Sequence, residues 1–200
     1  MNYLKQGWLV IVLAIVFGAA LAATYALLTP KINENKKNET YNEIPNLVPG
    51  GVKDKTQEMT LGGIRVYKIF NTAGKHIGWV LPASGIGYAD AIDALVGLDA
   101  GATTITGVYI LDQKETPGLG SKITTDWNRQ YVGKKTTPPL SVVKGAKPGP
   151  SEIEAISGAT ISSTSLTDIL NNAISDFRKA LAKEPVSADA DKATSTDPKD

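Results

Sequence analysis

The chain has 200 residues, enough for one domain with appended segments, and its formal net charge is +1. This balance gives no electrostatic reason to expect a nucleic-acid partner. Cysteine is absent and His76 is the single histidine, which excludes disulfides, cysteine-ligated zinc or iron–sulfur centres, and multi-histidine metal sites. Any redox chemistry must therefore use an organic cofactor.

An uncharged and mostly apolar segment runs from Gly7 to Leu28. About 20 residues at ~1.5 Å per residue span about 30 Å, the thickness of the hydrocarbon core of a bilayer. We predict a membrane anchor helix over residues 1–29 and expect Pro30 to end it, because proline interrupts the helical hydrogen bonds. The A-x-A triplet at Ala20 leaves a cleaved signal peptide as the alternative. The apolar run continues past that triplet, which favours a retained anchor.

Composition divides the rest of the chain into three parts. Residues 30–43 are polar and charged and predict a solvated or helical neck. Residues 44–183 carry the periodic apolar patterns of a folded domain. Residues 184–200 consist mainly of Ala, Ser, Thr, Asp, Lys and Pro and predict a disordered tail, because they are too poor in apolar side chains to order themselves.

Alternating apolar residues predict two antiparallel strand pairs. Ile64–Phe70 and His76–Leu81 form the first pair around a turn, and Ile92–Leu98 and Thr104–Leu111 form the second. The segment Gly85–Tyr88 between the pairs predicts a tight loop.

Helical spacing appears twice after the strands. Ile123, Trp127 and Tyr131 predict a short helix, and an apolar stripe from Leu166 to Leu181 predicts a long terminal helix. Ser165 with Asp168 predicts a capping box at the start of the terminal helix. These elements predict an α+β fold, a twisted antiparallel sheet with packed helices.

Two short motifs carry chemical information. In Glu115–Gly120, Pro117 fixes the backbone, and Gly118 and Gly120 permit unusual dihedral angles that bring main chain close to a flat ligand. Glu154–Thr160 comes directly before hydroxyl residues and the terminal helix, whose free N–H groups and dipole favour a phosphate. Taken alone, its Ser-Gly-Ala-Thr stretch favours an ordinary helix cap, because hydroxyls are preferred there for purely structural reasons.

Glu154–Thr160 resembles the acidic-x-x-Ser/Thr-Gly-Ala-Thr flavinylation motif of the FMN-binding subunits of Rnf and Nqr respiratory complexes. The string Glu115–Gly120 is similar to a loop of the same family, and so is Gly85–Tyr88. The resemblance implies FMN joined to Thr160 by a phosphoester bond. The cofactor-binding residues that it implies are Thr160, Ser157, Gly158, Ala159, Glu115, Thr116, Gly118, Leu119, Gly120 and Tyr88. No catalytic or metal-ligating residue is predicted.

The resemblance further implies an electron-carrier subunit of an Rnf-type ion-translocating complex, which would not turn over a free substrate by itself. Its partners would be the other membrane and redox subunits and a flavin transferase. It implies a single-pass inner-membrane protein with a cytoplasmic N-terminus and an extracytoplasmic domain. Charge alone favours the reverse orientation, because Lys31, Lys36 and Lys37 outnumber Lys5, and here we follow the resemblance.

Two positions depart from the family pattern: Gln113 stands where relatives often have histidine, and Glu154 where they usually have aspartate. Trp79 and Trp127 are interpreted as packing residues. Three other functions stay open. They are the C-type subunit of a Na⁺-translocating NADH:quinone oxidoreductase, a free-standing anchored flavoprotein, and a non-redox anchored binding or assembly protein.

Overall fold

A computed structural model of the chain describes residues 2–145 and 147–183, so the predicted tail lies outside the described residues. The chain separates into two units, Met1–Tyr41 and Asn42–Asp200.

The first helix, α1 (Asn2–Leu47), continues through Pro30, so the prediction that this proline ends the helix is wrong. Proline removes one N–H donor from the helical ladder, and the intact turns on both sides hold the helix across the gap. Large apolar side chains from Trp8 to Leu28 are exposed. By length and composition this helix is able to cross a membrane.

Five antiparallel strands form the main sheet, with neighbours in sequence also neighbours in space. They are β1 (Gln57–Leu61), β2 (Ile64–Phe70), β3 (His76–Ile86), β4 (Ala91–Asp99) and β5 (Ile105–Gln113). The structure confirms the four predicted strands and adds β1. Strand β3 runs further than expected, so Gly85 and Ile86 pair with Ile92 and Ala91 of β4 instead of forming a loop.

Short elements connect the sheet to the last helix. The predicted helix around Trp127 is two 3₁₀ helices, Gly120–Thr124 and Asp126–Tyr131, because Thr125 between them has extended backbone (φ −93°, ψ −171°). Strand β6 (Ser141–Val143) pairs in parallel with β7 (Glu152–Glu154). Helix α2 spans Thr160–Lys183 and confirms the predicted terminal helix.

Helix α2 covers one face of the sheet. Its buried stripe includes Leu166, Leu170 and Phe177, and these side chains belong to the same apolar cluster as Trp79 and Val96 of the sheet. Trp79 is 3% exposed and its ring lies 5.1 Å from that of Phe177, which confirms its packing role. Successive strand residues face opposite ways, so Leu95 and Gly97 must face the other side.

The last turn of α1 packs against that other side. The hydroxyl of Thr106 donates to the carbonyl oxygen of Leu47 at 2.6 Å. A Cβ at Gly97 would lie 2.3 Å from the same oxygen, and one at Gly107 would lie 2.9 Å from the Leu47 Cα. Glycine therefore lets the helix end lie directly on β4 and β5.

Adding one methyl group at Gly97 tests this contact. We expect Gly97→Ala to lower the free energy of unfolding by about 1–3 kcal/mol, because the neighbouring atom is backbone and a packed core resists overfilling. Urea denaturation of the detergent-solubilised chain, followed by tryptophan fluorescence, measures the change.

Gly101→Ala is the matched control, since its Cβ would meet only the Thr103 methyl group at 3.5 Å. Equal stability of the two variants would contradict the packing of α1 on the sheet.

His76 lies half-buried among aromatic rings. Its ring is 4.8 Å from that of Trp79 and 5.9 Å from that of Phe70, and its Nε2 lies 3.0 Å from the carbonyl oxygen of Gly78. Burial, together with the charge of Lys68, lowers the pKa of His76 from its ordinary value of 6.5. His76 is therefore a packing residue that folds best as the neutral imidazole.

This shift predicts a pH-dependent stability. As pH falls, the unfolded chain binds the proton first, so the contribution of His76 is complete above pH 6.5 and is lost as pH falls toward the folded pKa. We expect the stability of the chain to decrease as pH falls below 6.5, and His76→Gln to flatten that slope. Denaturant titrations at several pH values check this, and parallel slopes for the two proteins would contradict it.

Candidate functional site

A buried carboxylate joins three segments that are distant in sequence. Glu115 is 3% exposed. Its Oε1 accepts hydrogen bonds from the backbone N–H groups of Tyr88 (2.8 Å) and Ala89 (3.1 Å), and its Oε2 accepts one from the hydroxyl of Ser162 (2.5 Å). The loop after β3, the segment after β5 and the first turn of α2 therefore meet at this side chain.

Two glycines make room for that carboxylate. A Cβ at Gly87 would lie 2.3 Å from Glu115 Oε1, and a Cβ at Gly120 would lie 2.7 Å from Oε2 and 2.6 Å from the hydroxyl of Ser162. The sequence predicts an unusual dihedral angle at Gly120. In the structure glycine is instead required there because a side chain would overlap Glu115 and Ser162. Gly118 has φ +75° and does take the left-handed conformation that was predicted.

The segment after Glu115 is a compact turn. The backbone N–H groups of Leu119 and Ser121 both donate to the carbonyl oxygen of Thr116, at 3.1 and 3.2 Å. The hydroxyl of Ser121 accepts from the N–H of Gly118 at 3.0 Å. These bonds leave the side chain of Leu119 43% exposed, as an apolar surface beside the start of α2.

A tight turn leads into α2. Gly158 has φ +78°, and a Cβ there would lie 3.3 Å from Leu119 Cδ2, so the two predicted motifs lie against each other. Ser163 Oγ accepts from the N–H of Ile156 and donates to the carbonyl oxygen of Ala159, both at 3.0 Å. The hydroxyl of Ser163, in the first turn of α2, thereby stabilises the turn that precedes the helix.

The predicted capping box is wrong. Helix α2 begins at Thr160, so Ser165 and Asp168 lie in its second and third turns. The apolar periodicity placed the helix start at Leu166, whereas the helix begins six residues earlier and has the buried hydroxyls of Ser162 and Ser163 in its first turn.

A second buried hydroxyl pair ties the helix to the 3₁₀ segment. Thr167 Oγ1 donates to the carbonyl oxygen of Ser163 at 2.8 Å, so it accepts from Tyr131 OH, which lies 2.8 Å away. Burial raises the pKa of Tyr131, which keeps its hydroxyl a neutral donor. These hydrogen bonds fix the first two turns of α2 against the 3₁₀ helix that contains Tyr131.

These segments enclose a cleft of about 480 Å³, within the range of small-molecule sites. Its lining residues are Tyr88, Thr116, Leu119, Gly120, Gly158, Ala159, Thr160, Ile161 and Ser162. All except Ile161 and Ser162 belong to the predicted set. Glu115 lies behind the wall, hydrogen-bonded to Tyr88 and Ser162, while Gly118 and Ser157 are exposed and outside the lining.

The cleft combines apolar surface with a helix end. Tyr88 and Ile161 are 64% and 57% exposed and supply, with Leu119, faces for a flat ring. Thr160 presents its hydroxyl at the first residue of α2, where backbone N–H groups have no acceptor within the helix. Lysine, arginine and histidine are absent from the described residues that line the cleft. The arrangement suits a planar aromatic ligand that carries a phosphate.

The other predicted positions are accounted for as follows. Gln113 Oε1 accepts from the N–H of Glu115 at 2.6 Å and so helps to orient that residue. Trp127 Nε1 donates to the carbonyl oxygen of Glu154 at 2.8 Å, away from the cleft lining. The two lining residues that prediction missed, Ile161 and Ser162, directly follow the motif, and only the contact with Glu115 distinguishes Ser162 from the hydroxyls after it.

The part of the chain that holds the cleft matches a known family. Residues 87–175 match the family described as FMN-binding domain. The chain is 40% identical over 119 residues to the G subunit of the Na⁺-translocating ferredoxin:NAD⁺ oxidoreductase complex of Acetobacterium woodii, covering 58% of this chain and 56% of that protein. It is 35% identical over 108 residues to the G subunit of the ion-translocating oxidoreductase complex of Methanosarcina acetivorans, covering 54% and 55%.

A solved structure shares the fold. The C subunit of the Na⁺-translocating NADH-quinone reductase of Parabacteroides distasonis superposes with a TM-score of 0.52 at 28% identity, covering 59% of this chain and 62% of that one. The chain spans about half the length of the curated relatives named above. The matched residues contain the whole cleft, from Tyr88 to Ser162. The part of the chain that holds the cleft is therefore similar to the FMN-binding domain family and to the G subunits of these ion-translocating complexes.

Proposed function

We propose that the chain is the electron-carrying G-type subunit of an Rnf-type ion-translocating oxidoreductase, with FMN joined to Thr160 by a phosphoester bond. The observation that supports it most is the place of Thr160, at the first residue of α2 inside a cleft that Leu119 and Tyr88 also line. The two curated relatives that support this choice are both named as G subunits.

The start of α2 suits the phosphate. The free N–H groups of the first turn and the positive end of the helix dipole both favour a negative group attached at Thr160. The lining residues add hydroxyls but no cationic side chain. A phosphate held only by these groups is retained weakly, so the covalent bond is what keeps the cofactor in place.

The other residues of the cleft orient the ring. Leu119 and Ile161 are exposed and apolar, and Tyr88 is an exposed aromatic side chain that is able to stack on a flat ring. Bound FMN supplies electron transfer, while the protein fixes its position and surroundings. Within the part of the chain that the structure describes, the lining includes no carboxylate or imidazole to move a proton, which fits an electron carrier better than an enzyme acting on its own substrate.

Attachment requires a separate flavin transferase. Thr160 Oγ would displace AMP from the FMN phosphate of FAD and give up its proton to a base on that enzyme. The described residues that line the cleft offer no such base, since they include neither carboxylate nor histidine. Gly158 and the side chain of Glu154 are exposed, so the motif is accessible to a large partner.

Removing one hydroxyl tests the attachment site. In a host with the coupling enzyme, we expect Thr160→Ala to lose the mass of bound FMN and the in-gel fluorescence that survives denaturation. Thr160→Ser is expected to retain part of the label, because it keeps a hydroxyl. Intact-mass spectrometry gives the fraction modified.

Thr164→Ala is the matched control, because Thr164 is an exposed threonine one turn further along α2. A label that persists in Thr160→Ala would place the attachment at another residue. An unmodified wild-type chain in the same host would overturn the covalent link altogether.

We further propose that the N-terminus is cytoplasmic and that the FMN-binding domain lies on the extracytoplasmic side. A covalent tether fits that location, because a dissociated cofactor would be lost outside the cell. The lysines after the apolar segment oppose this orientation, so a direct test is needed.

The absence of cysteine makes that test simple. A cysteine introduced at the exposed Lys75 is expected to react with a membrane-impermeant maleimide in intact spheroplasts. The unmodified chain is the control for background, and lysed cells give the maximum labelling. Labelling of Lys75→Cys only after lysis would reverse the proposed topology.

The second candidate is the C-type subunit of a Na⁺-translocating NADH:quinone oxidoreductase, which the shared fold with the Parabacteroides distasonis protein favours. The subunits that co-purify with the native chain distinguish the two complexes.

A further inference from the structure

We propose that the charge of Glu115 lowers the reduction potential of the flavin, which makes this residue a tuning residue in the wall of the cleft. This inference rests on the proposed function, because it requires FMN to occupy the cleft. Three observations support the inference: the carboxylate of Glu115 is buried, it accepts three hydrogen bonds, and it lies directly behind two residues that line the cleft.

The carboxylate of Glu115 is hydrogen-bonded to two residues that line the cleft. Tyr88 and Ser162 line the cleft, and Glu115 accepts from the backbone N–H of the first and the hydroxyl of the second. With only 3% of the residue exposed, solvent screens its charge poorly. A charge in such surroundings acts more strongly on its neighbours than one at the surface does.

The pattern of donors is that of an ionised carboxylate. Glu115 accepts from two N–H groups and one O–H group, and a carboxylate is an acceptor of this kind. Across residues 2–145 and 147–183, the ion pairs involve other carboxylates, such as Asp90 with Lys114 at 3.0 Å. Dipoles hold the charge of Glu115 without a cation to neutralise it.

A fixed negative charge opposes electron uptake nearby. Reduction places additional negative charge on the ring system, so the carboxylate favours the oxidised cofactor and lowers the midpoint potential. The spatial role of Glu115 depends on the shape of its side chain, and its electrostatic role depends on its negative charge. A substitution that changes only one of these properties therefore separates the two roles.

Glu115→Gln removes the charge and keeps the shape. The amide oxygen is able to accept from the N–H groups of Tyr88 and Ala89, while the amide nitrogen donates to Ser162 Oγ. Glu115→Asp is the structural control, since it retains the charge and disturbs the hydrogen bonds of the carboxylate by shortening the side chain. Asp90→Asn is the control, because it neutralises an exposed carboxylate in the same loop.

The measurement is a spectroscopic redox titration of the purified, flavinylated full-length protein. We expect Glu115→Gln to raise the midpoint potential, while Glu115→Asp and Asp90→Asn change it less than Glu115→Gln does. The comparison with Glu115→Asp is diagnostic, because a purely structural role would shift the potential at least as much in this shortened variant as in Glu115→Gln.

A midpoint in Glu115→Gln that is unchanged, lower, or raised no more than in Asp90→Asn overturns the inference. If Glu115→Gln fails to accumulate as folded protein, the uncharged variant Glu115→Met decides: a midpoint raised more than in Asp90→Asn supports the inference, and any other midpoint overturns it. Intact-mass spectrometry distinguishes a failure of the proposed function from a failure of the inference about Glu115. A wild-type chain without FMN refutes the proposed function, whereas a flavinylated chain with unresponsive potentials refutes only the role of Glu115.

Discussion

The cleft depends on the burial of one carboxylate among three segments. Glu115 accepts hydrogen bonds from Tyr88, 27 residues earlier in the chain, and from Ser162, 47 residues later. A buried carboxylate is tolerated only when donors satisfy it, so each of these segments needs the others in place. The glycines at 87 and 120 are part of the same constraint, because any side chain there would occupy the space of the carboxylate.

Helix α2 serves the core and the cleft at once. Its apolar stripe, from Leu166 to Phe177, packs on the sheet, while its first turn carries Thr160 into the cleft. The hydroxyls of Ser163 and Thr167 connect these two roles by closing the entry turn and bonding to Tyr131. A site built on a packed helix is held more exactly than one built on a loop alone.

The sequence predicted elements with strong periodicity and the motifs that line the cleft. Strands β2 to β5 and α2 have clear patterns, whereas β6 and β7 have three residues each, too few for any period to show. The prediction that Pro30 ends α1 was wrong, because it considered the proline alone and not the helical turns on both sides that maintain the helix. The spatial role of Gly120 was invisible, because it depends on where Glu115 and Ser162 lie after folding.

The described residues along the cleft include no cationic side chain, which has a consequence for the cell. If FMN is joined at Thr160 as proposed, occupancy is decided once, during maturation, and exchange with free cofactor does not repair a molecule that escaped modification. The fraction of competent complexes then reflects the ratio of transferase to newly made chain. Vitamin shortage would reduce activity only as fast as old protein is diluted by growth.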